Sequence, residues 1–312
     1  KDREYDLFLA EYDCLASIAH AKMLGNIGIL SNEEVNQLSS VLNEIKIQAE
    51  NRSLGIEKDF EDIHSKIEHI LIQRLGDVGK KIHTARSRND QVLVALHLYL
   101  KKELNTIKDQ IIELFELLIS LAEKHKNILL PGYTHFQVAM PSSFGLWFSA
   151  YAESLIDDLY FWRSAYKIAD QNPLGSAAGF GSAFPIDREF TTNELKFSNL
   201  KVNSVAAQMS RGKLEKSTAM ALSSIGATLS KISMDICLYM GQDFKFISFP
   251  DNLTTGSSIM PHKKNPDLFE LLRGKCNVIQ SLPNQLTLLT SNLLHFIQTH
   301  RNILTIVFKY CI

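Results

Sequence analysis

Residues 91–126 read QVLVALHLYLKKELNTIKDQIIELFELLISLAEKHK, and this stretch decides the fold. Apolar residues recur in it every three or four positions, namely Leu96, Leu100, Leu104, Ile107, Ile111, Phe115, Leu118 and Ala122. The spacing predicts one helix of about 36 residues, or about 54 Å at ~1.5 Å per residue. A single compact domain cannot bury a helix of this length, so the pattern favours a bundle.

Two further segments repeat the pattern, and we expect long helices over residues 141–170 and 204–241. A fourth is expected after Pro266, with an interruption at Pro283. Shorter helices are expected first, over residues 5–25, 31–49 and 60–75. The prediction is an all-α fold, a long-helix bundle with an oligomeric core, because one chain has too few helices to cover these apolar faces. An extended coiled-coil scaffold is the alternative, and it would have featureless polar linkers.

Composition excludes several classes of protein. The 312 residues are 45% apolar and 21% charged, with 33 basic against 34 acidic residues, so a nucleic-acid partner is not expected. Gly and Pro number only 15 and 8, too few for the turns of an all-β fold. No apolar run is long enough to span a membrane.

The cysteines and the ends of the chain add expectations about location and domains. Four scattered cysteines form no disulfide framework, which favours a reducing, cytoplasmic setting. The first residues resemble no signal peptide and lack an initiator Met, so we expect the sequence to begin inside a longer product. We expect a helical domain over residues 1–90, the central bundle over 91–294, and the remnant of a C-terminal segment over 295–312.

The first of three polar linkers is residues 81–91, which lead into the first long helix. Ser87, Arg88, Asn89 and Gln91 cluster there, and a helix N-terminus with arginines beside it attracts anions. The alternative is ordinary helix capping by Asn89 or Asp90, with solvated arginines.

The second linker, residues 130–141, carries His135 between Thr134 and an aromatic residue. A histidine in a turn before a helix that starts with proline is a candidate acid or base. A histidine satisfied within the structure is the alternative. No pair of histidines has the spacing of a zinc site, so no metal is expected.

The third linker, residues 254–270, carries the strongest signal. Its Gly-Ser-Ser sequence could place the Ser257 hydroxyl over a substrate, and Lys263 and Asn265 supply donors suited to a carboxylate. By contrast, residues 172–181 lack the spacing of a phosphate-binding loop and predict a tight turn of small residues.

These linkers carry a family resemblance. Residues 256–266, GSSIMPHKKNP, match the G-S-S-x-M-P-x-K-x-N signature of the fumarase/aspartase superfamily. Residues 86–91, RSRNDQ, and 132–137, GYTHFQ, resemble the argininosuccinate lyase family within it. EDIH at 61–64 and SIAHAK at 17–22 are also similar to that family, and the resemblance runs from residue 1 to about residue 292.

The resemblance implies a homotetramer whose active sites are each assembled from three subunits. It implies the reversible elimination of argininosuccinate to arginine and fumarate, without a metal or cofactor. By motif, Ser257 resembles the catalytic base, Lys263 and Asn265 the groups that stabilise the carboxylate and carbanion, and His135 with Glu270 a pair that supports proton transfer. The expected substrate-binding residues are Asn89, Thr134, Asn265, Arg88, Ser87, Gln91 and His64.

The chain departs from the family pattern at two places. Ala85 stands where the family has Gly, so the backbone before Arg86 is expected to differ slightly. After Asn292 the family's substrate-binding Tyr, Gln and Lys segment is missing, as is the N-terminal segment that carries a substrate-binding Ser. Two alternatives stay open, which are another superfamily lyase (adenylosuccinate lyase, fumarase or aspartase) and an inactive, crystallin-like structural homologue.

Overall fold

Long helices dominate the computed structural model, which describes residues 2–260 and 262–291. The shorter N-terminal helices are α1 Asp2–Asp6, α2 Ala10–Asn26, α3 Asn32–Glu50, α4 Ile63–Leu75 and α5 Asp77–Lys81. Ser31 begins α3 as its N-cap and exchanges hydrogen bonds with Glu34, as the S-x-x-E spacing predicts. The all-α prediction is confirmed, because the strands are few and short.

Four long helices form the bundle. They are α6 Arg88–His125, α7 Phe144–Ala169, α10 Lys213–Met240 and α11 Asp267–Thr290. Helix α6 has 38 residues and is therefore about 57 Å long at ~1.5 Å per residue. The predicted interruption of α11 at Pro283 is wrong, because the helix continues through this residue to Thr290.

The long helices alternate in direction, up and down. The end of α6 meets the start of α7, where the rings of His125 and Phe148 lie 6.5 Å apart. The start of α7 meets the end of α10, where Trp147 Nε1 donates to Asp235 Oδ2 at 2.9 Å. Helices α10 and α11 also lie antiparallel, because a Cβ on Gly212 would fall 2.4 Å from a methyl group of Thr290. Each end of the bundle thus gathers two helix starts and two helix ends.

A β-hairpin connects α6 to α7, where the sequence predicted only a turn. Strands β1 Leu129–Thr134 and β2 Gln137–Ser143 pair antiparallel, with Pro131 opposite Pro141. The predicted helix start at residue 141 is therefore wrong, and α7 begins at Phe144.

The remaining elements are short and lie between α7 and α10. They are β3 Gln171–Asn172, α8 Arg188–Glu194, β4 Asn199–Leu200 and α9 Ser204–Met209. The single helix predicted over residues 204–241 is split, since Gly212 adopts φ +78° between α9 and α10. A left-handed residue interrupts a right-handed helix, and Gly adopts that conformation without steric cost.

The N-terminal helices share one hydrophobic core with the end of the bundle at which α6 begins. Leu42 of α3, Leu71 of α4, Leu100 of α6, Ala169 of α7 and Leu286 of α11 are all buried in it. A second core joins α6, α7 and α10 nearer the hairpin. The domain boundary at residue 90 stays a prediction, and the expected remnant over residues 295–312 lies outside the described residues. No helix within residues 2–260 and 262–291 is both long and apolar enough to cross a membrane.

Candidate active site

Ser87 begins α6 as its N-cap. Its Oγ accepts the Asn89 amide at 3.3 Å, and its own amide donates to Asp90 Oδ1 at 2.9 Å. The N-cap is therefore Ser87 rather than Asn89 or Asp90, the alternatives raised from the sequence, and Asp90 completes a capping box with it. The arginines are not solvated either, since Arg86 is only 8% exposed.

Arg88 and Asn89 are held by residues that local sequence patterns do not indicate. Arg88 donates to Glu68 Oε2 at 3.0 Å and to Gln91 Oε1 at 3.0 Å. Arg211 donates to both the carbonyl and the side-chain Oδ1 of Asn89, at 2.9 and 3.3 Å.

Asp13 lies beneath this helix start and was missed by the sequence analysis. It is fully buried, 3.1 Å from His64 Nδ1, and accepts from Gln91 Nε2 at 2.9 and 3.0 Å. A signal existed, because Asp13, Ser17 and His20 are polar residues at helical spacing, and the other buried residues of this helix are apolar. His64 and Gln91 are used inside the chain, and their role as substrate ligands stays a prediction.

Asp90 attaches the loop 172–181 to the same helix start. Its Oδ2 accepts the amides of Gly175 and Ala177 at 2.9 and 3.0 Å. Burial raises the pKa of Asp90 above its usual value, although these amides oppose the shift. Gly175 and Ala177 both have positive φ, so the loop is the tight turn that the sequence predicts, with amides directed inward rather than toward a phosphate.

The hairpin tip carries Thr134 and His135 at the other end of α6. His135 and Phe136 occupy the two turn positions with φ of +52° and +59°, the backbone of a type I′ turn. Thr134 and His135 are exposed. Next to the tip, the Tyr133 ring lies 5.5 Å from the ring of Phe244, which packs this part of the hairpin against the segment after α10.

The signature loop follows α10 and is closed by a short bridge. Asn265 and Thr255 exchange backbone hydrogen bonds of 2.8 and 3.2 Å, which ties the loop at its base. Inside the loop, Ser257 Oγ accepts the amides of Ile259 and Met260, each at 3.3 Å. Two N–H groups aimed at a hydroxyl oxygen stabilise negative charge on it, and this favours its use as a base.

A cavity of about 420 Å³ lies against this loop, at the C-terminal end of α10. His262, Lys263 and Asn265 line it together with Cys237. Burial and the nearby Glu270 carboxylate raise the pKa of the Cys237 thiol, which places Glu270 close to the same wall. The lining offers donors and positive charge for a carboxylate, and Glu270 is exposed on the first turn of α11.

The predicted site residues form two groups, which lie at opposite ends of the helical bundle of one chain. Ser87, Asn89 and their supports lie beside Arg211, just before α10 begins, whereas the signature loop follows the end of α10. Helix α10 has 28 residues, so about 42 Å separates the two ends. His135 and Glu270, both described, are joined by no hydrogen bond or ion pair within this chain.

Comparisons with known proteins identify the family of the chain. The family model described as Lyase matches residues 2–281. The argininosuccinate lyase of Parabacteroides distasonis is 55% identical over 293 residues, which are 94% of this chain and 66% of that protein. The argininosuccinate lyase of Thermotoga neapolitana is 43% identical over 289 residues, 93% of this chain and 73% of that protein. The chain thus spans just under two thirds of the length of its more similar relatives.

Solved structures share the fold. An EDDS lyase in complex with formate superposes with a TM-score of 0.84 at 26% identity, covering 96% of this chain and 61% of that one. A fumarate lyase, delta crystallin, from Brucella melitensis gives 0.83 at 19% identity, covering 98% and 72% respectively. With its family match, its relatives and its bundle in agreement, the chain belongs to the lyase family of the fumarase/aspartase superfamily, in the branch of the argininosuccinate lyases.

Proposed function

We propose that the protein to which this chain belongs is an argininosuccinate lyase, a carbon–nitrogen lyase of arginine biosynthesis. It would split argininosuccinate reversibly into arginine and fumarate. The observation that carries the proposal is Ser257, whose hydroxyl oxygen accepts two backbone amides beside a cavity lined by Lys263 and Asn265. The relatives named argininosuccinate lyase support it.

Proton removal begins the proposed reaction. Ser257 takes a proton from the carbon beside a substrate carboxylate, and that carbon becomes negatively charged. A serine hydroxyl is a weak base, and the amides of Ile259 and Met260 lower the cost of its deprotonated form. The Lys263 ammonium and the Asn265 amide then stabilise the charge that develops on the carboxylate and the adjacent carbon, usually the largest contribution to catalysis.

Bond cleavage completes the elimination. The electron pair on carbon forms the double bond of fumarate while the carbon–nitrogen bond breaks, and the nitrogen departs with a proton as arginine. His135 and Glu270 are proposed to support the proton transfer. Asn89 and Thr134 are proposed to bind the substrate. Ser87 caps the N-terminus of α6, which is proposed to face the negative charge of the substrate.

A homotetramer with shared sites is part of the proposal. Within one chain, the group around Asn89 and the group around Ser257 lie about 42 Å apart along α10, which is too far for both to contact one substrate. Large apolar side chains are exposed on the long helices, including Leu117, Tyr160, Phe161 and Leu271. Exposed apolar area on this scale is typical of a surface that another chain covers.

The cytoplasm is the location proposed, because the described cysteines Cys14, Cys237 and Cys276 are free thiols. The test of function is fumarate release by the full-length protein, with argininosuccinate offered beside adenylosuccinate, aspartate and malate. Turnover of argininosuccinate alone supports the proposal. Turnover of another substrate, or a folded tetramer without activity on any of the four, refutes it.

A further inference from the structure

Asp13 is a buried carboxylate at the end of the molecule where α6 begins. It lies on α2, with no exposed surface. Its oxygens receive Gln91 Nε2 at 2.9 and 3.0 Å and Ser17 Oγ at 3.4 Å, and Oδ2 lies 3.1 Å from His64 Nδ1. A buried carboxylate with this many partners fixes each of them in place.

The surroundings keep this carboxylate charged. Burial alone would raise its pKa, but the neighbouring His64, the charge of Arg86 and the Gln91 amide together lower it to about 2. Arg86 is connected through Ser17, to whose Oγ it donates at 2.8 Å. Asp13 therefore carries a full negative charge at neutral pH, in a site where each hydrogen bond to it is charge-assisted.

The contacts lead directly to the first turn of α6. Gln91 lies on that helix, and its side-chain oxygen Oε1 accepts a hydrogen bond from Arg88 at 3.0 Å. Asn89 lies between Arg88 and Gln91 in sequence, next to Arg88 and two positions before Gln91. The carboxylate of α2 thus sets the position of the backbone and side chains that present Asn89 and the Ser87 cap.

We propose that Asp13 is a positioning residue for substrate binding, which fixes the start of α6 through Gln91 and His64 without touching the substrate. The inference rests on the proposed function, and it adds a residue of α2 that no local motif marks. By fixing these residues, Asp13 would strengthen binding of the substrate in the ground state and in the transition state equally. Loss of such binding raises KM and leaves kcat nearly unchanged.

The experiment compares Asp13→Asn with wild type in the full-length enzyme. We expect KM for argininosuccinate to rise by about tenfold or more, the size expected for losing charge-assisted hydrogen bonds, with kcat changed less than about threefold. Asp158→Asn is the matched control, because Asp158 is also a buried carboxylate, accepting from Ser224 and from Thr228 at 2.7 Å between α7 and α10. The control should lower the thermal midpoint and keep KM within about twofold of wild type.

A second variant keeps the inference testable if Asp13→Asn does not fold. Gln91→Met removes the link between Asp13 and Arg88 at nearly constant volume, and it should raise KM in the same way. In the double variant the two effects should not add, because both break one path. An unchanged KM in either folded variant, or an equal KM rise in Asp158→Asn, would overturn the inference.

Failure of the proposed function would look different. If the wild-type enzyme has no turnover on argininosuccinate, that function is refuted, and the role of Asp13 is then decided by calorimetric titration with fumarate. Weaker binding of fumarate by Asp13→Asn than by wild type upholds the role. Equal affinity, or no binding by wild type, overturns it.

Discussion

Two inactive variants should restore activity when they assemble together. The first, Asn89→Ala, damages the group at the start of α6, and the second, Ser257→Ala, damages the loop after α10. About 42 Å of α10 separates these groups within one chain, so a substrate can meet both only if they come from different chains. Each mutant tetramer then has four damaged sites, but a mixed tetramer has some intact ones.

The yield follows from how sites are assembled. In an equal mixture, the chain that supplies Asn89 carries the intact residue half of the time, and so does the chain that supplies Ser257. If the two donors are independent, about a quarter of the sites are intact, and activity should recover to about a quarter of wild type. A site built from one chain would recover nothing.

The assay is fumarate release after the two full-length variants are unfolded together, refolded and isolated at about four chain masses by light scattering. Mixing the folded tetramers without unfolding them is the control, and it should give no recovery within the time of assembly exchange. No recovery in tetramers that contain both variants would refute the shared site. A stable, active monomer would refute the oligomeric core as well.

Three further predictions address the base, the backbone and acid stability. Ser257→Ala should lower kcat by about 10²–10⁴-fold with little change in KM, whereas Lys263→Ala should also weaken binding; a Ser257→Ala enzyme keeping over about a tenth of wild-type turnover would move the base role to another group. Ala85 has φ +57°, so Ala85→Gly should stabilise the protein by about 0.5–1 kcal/mol in urea unfolding, and a loss of stability would contradict the strain assigned there. Burial lowers the pKa of His20 to about 3 and that of His97 to about 4, so as the pH falls the unfolded chain takes up protons before the folded protein does. The contribution of these histidines to the free energy of unfolding should be full above about pH 6.5 and decrease toward pH 4. A thermal midpoint that stays constant over that window would refute this.

The long helices could be predicted because their signal is local and repeated. The seam of residues 91–126 gave the length of α6 to within a few residues at either end. The hairpin could not be predicted, since the turn positions hold His135 and Phe136 rather than the Asn-Gly or Asp-Gly that marks a type I′ turn. Pro141 also read as a helix start, and pairing with Pro131 across the hairpin is not visible in sequence order.

The candidate site likewise has a part that could be predicted from the sequence and a part that could not. The signature loop and the start of α6 are continuous segments, so motifs identified their residues. The partners that hold those residues lie far away in sequence, with 78 positions between Asp13 and Gln91 and 122 between Arg211 and Asn89. No periodicity within one helix reports such a pair, and only the packing of α2 and of the turn before α10 against α6 creates it. Sequence therefore identified the candidate functional groups but not what orients them.

The proposed assembly follows from the same lengths. A bundle of antiparallel helices about 36 to 57 Å long keeps its two ends apart, and no loop movement in one chain could bring Asn89 to Ser257. A second bundle lying antiparallel against the exposed faces of α6 and α7 would cover side chains such as Leu117 and Phe161. It would also set the start of α6 in one chain beside the signature loop of another. Association of the chains would then bury the apolar faces and complete the active site at the same time. This explains why a lyase site would be divided between the ends of rigid helices.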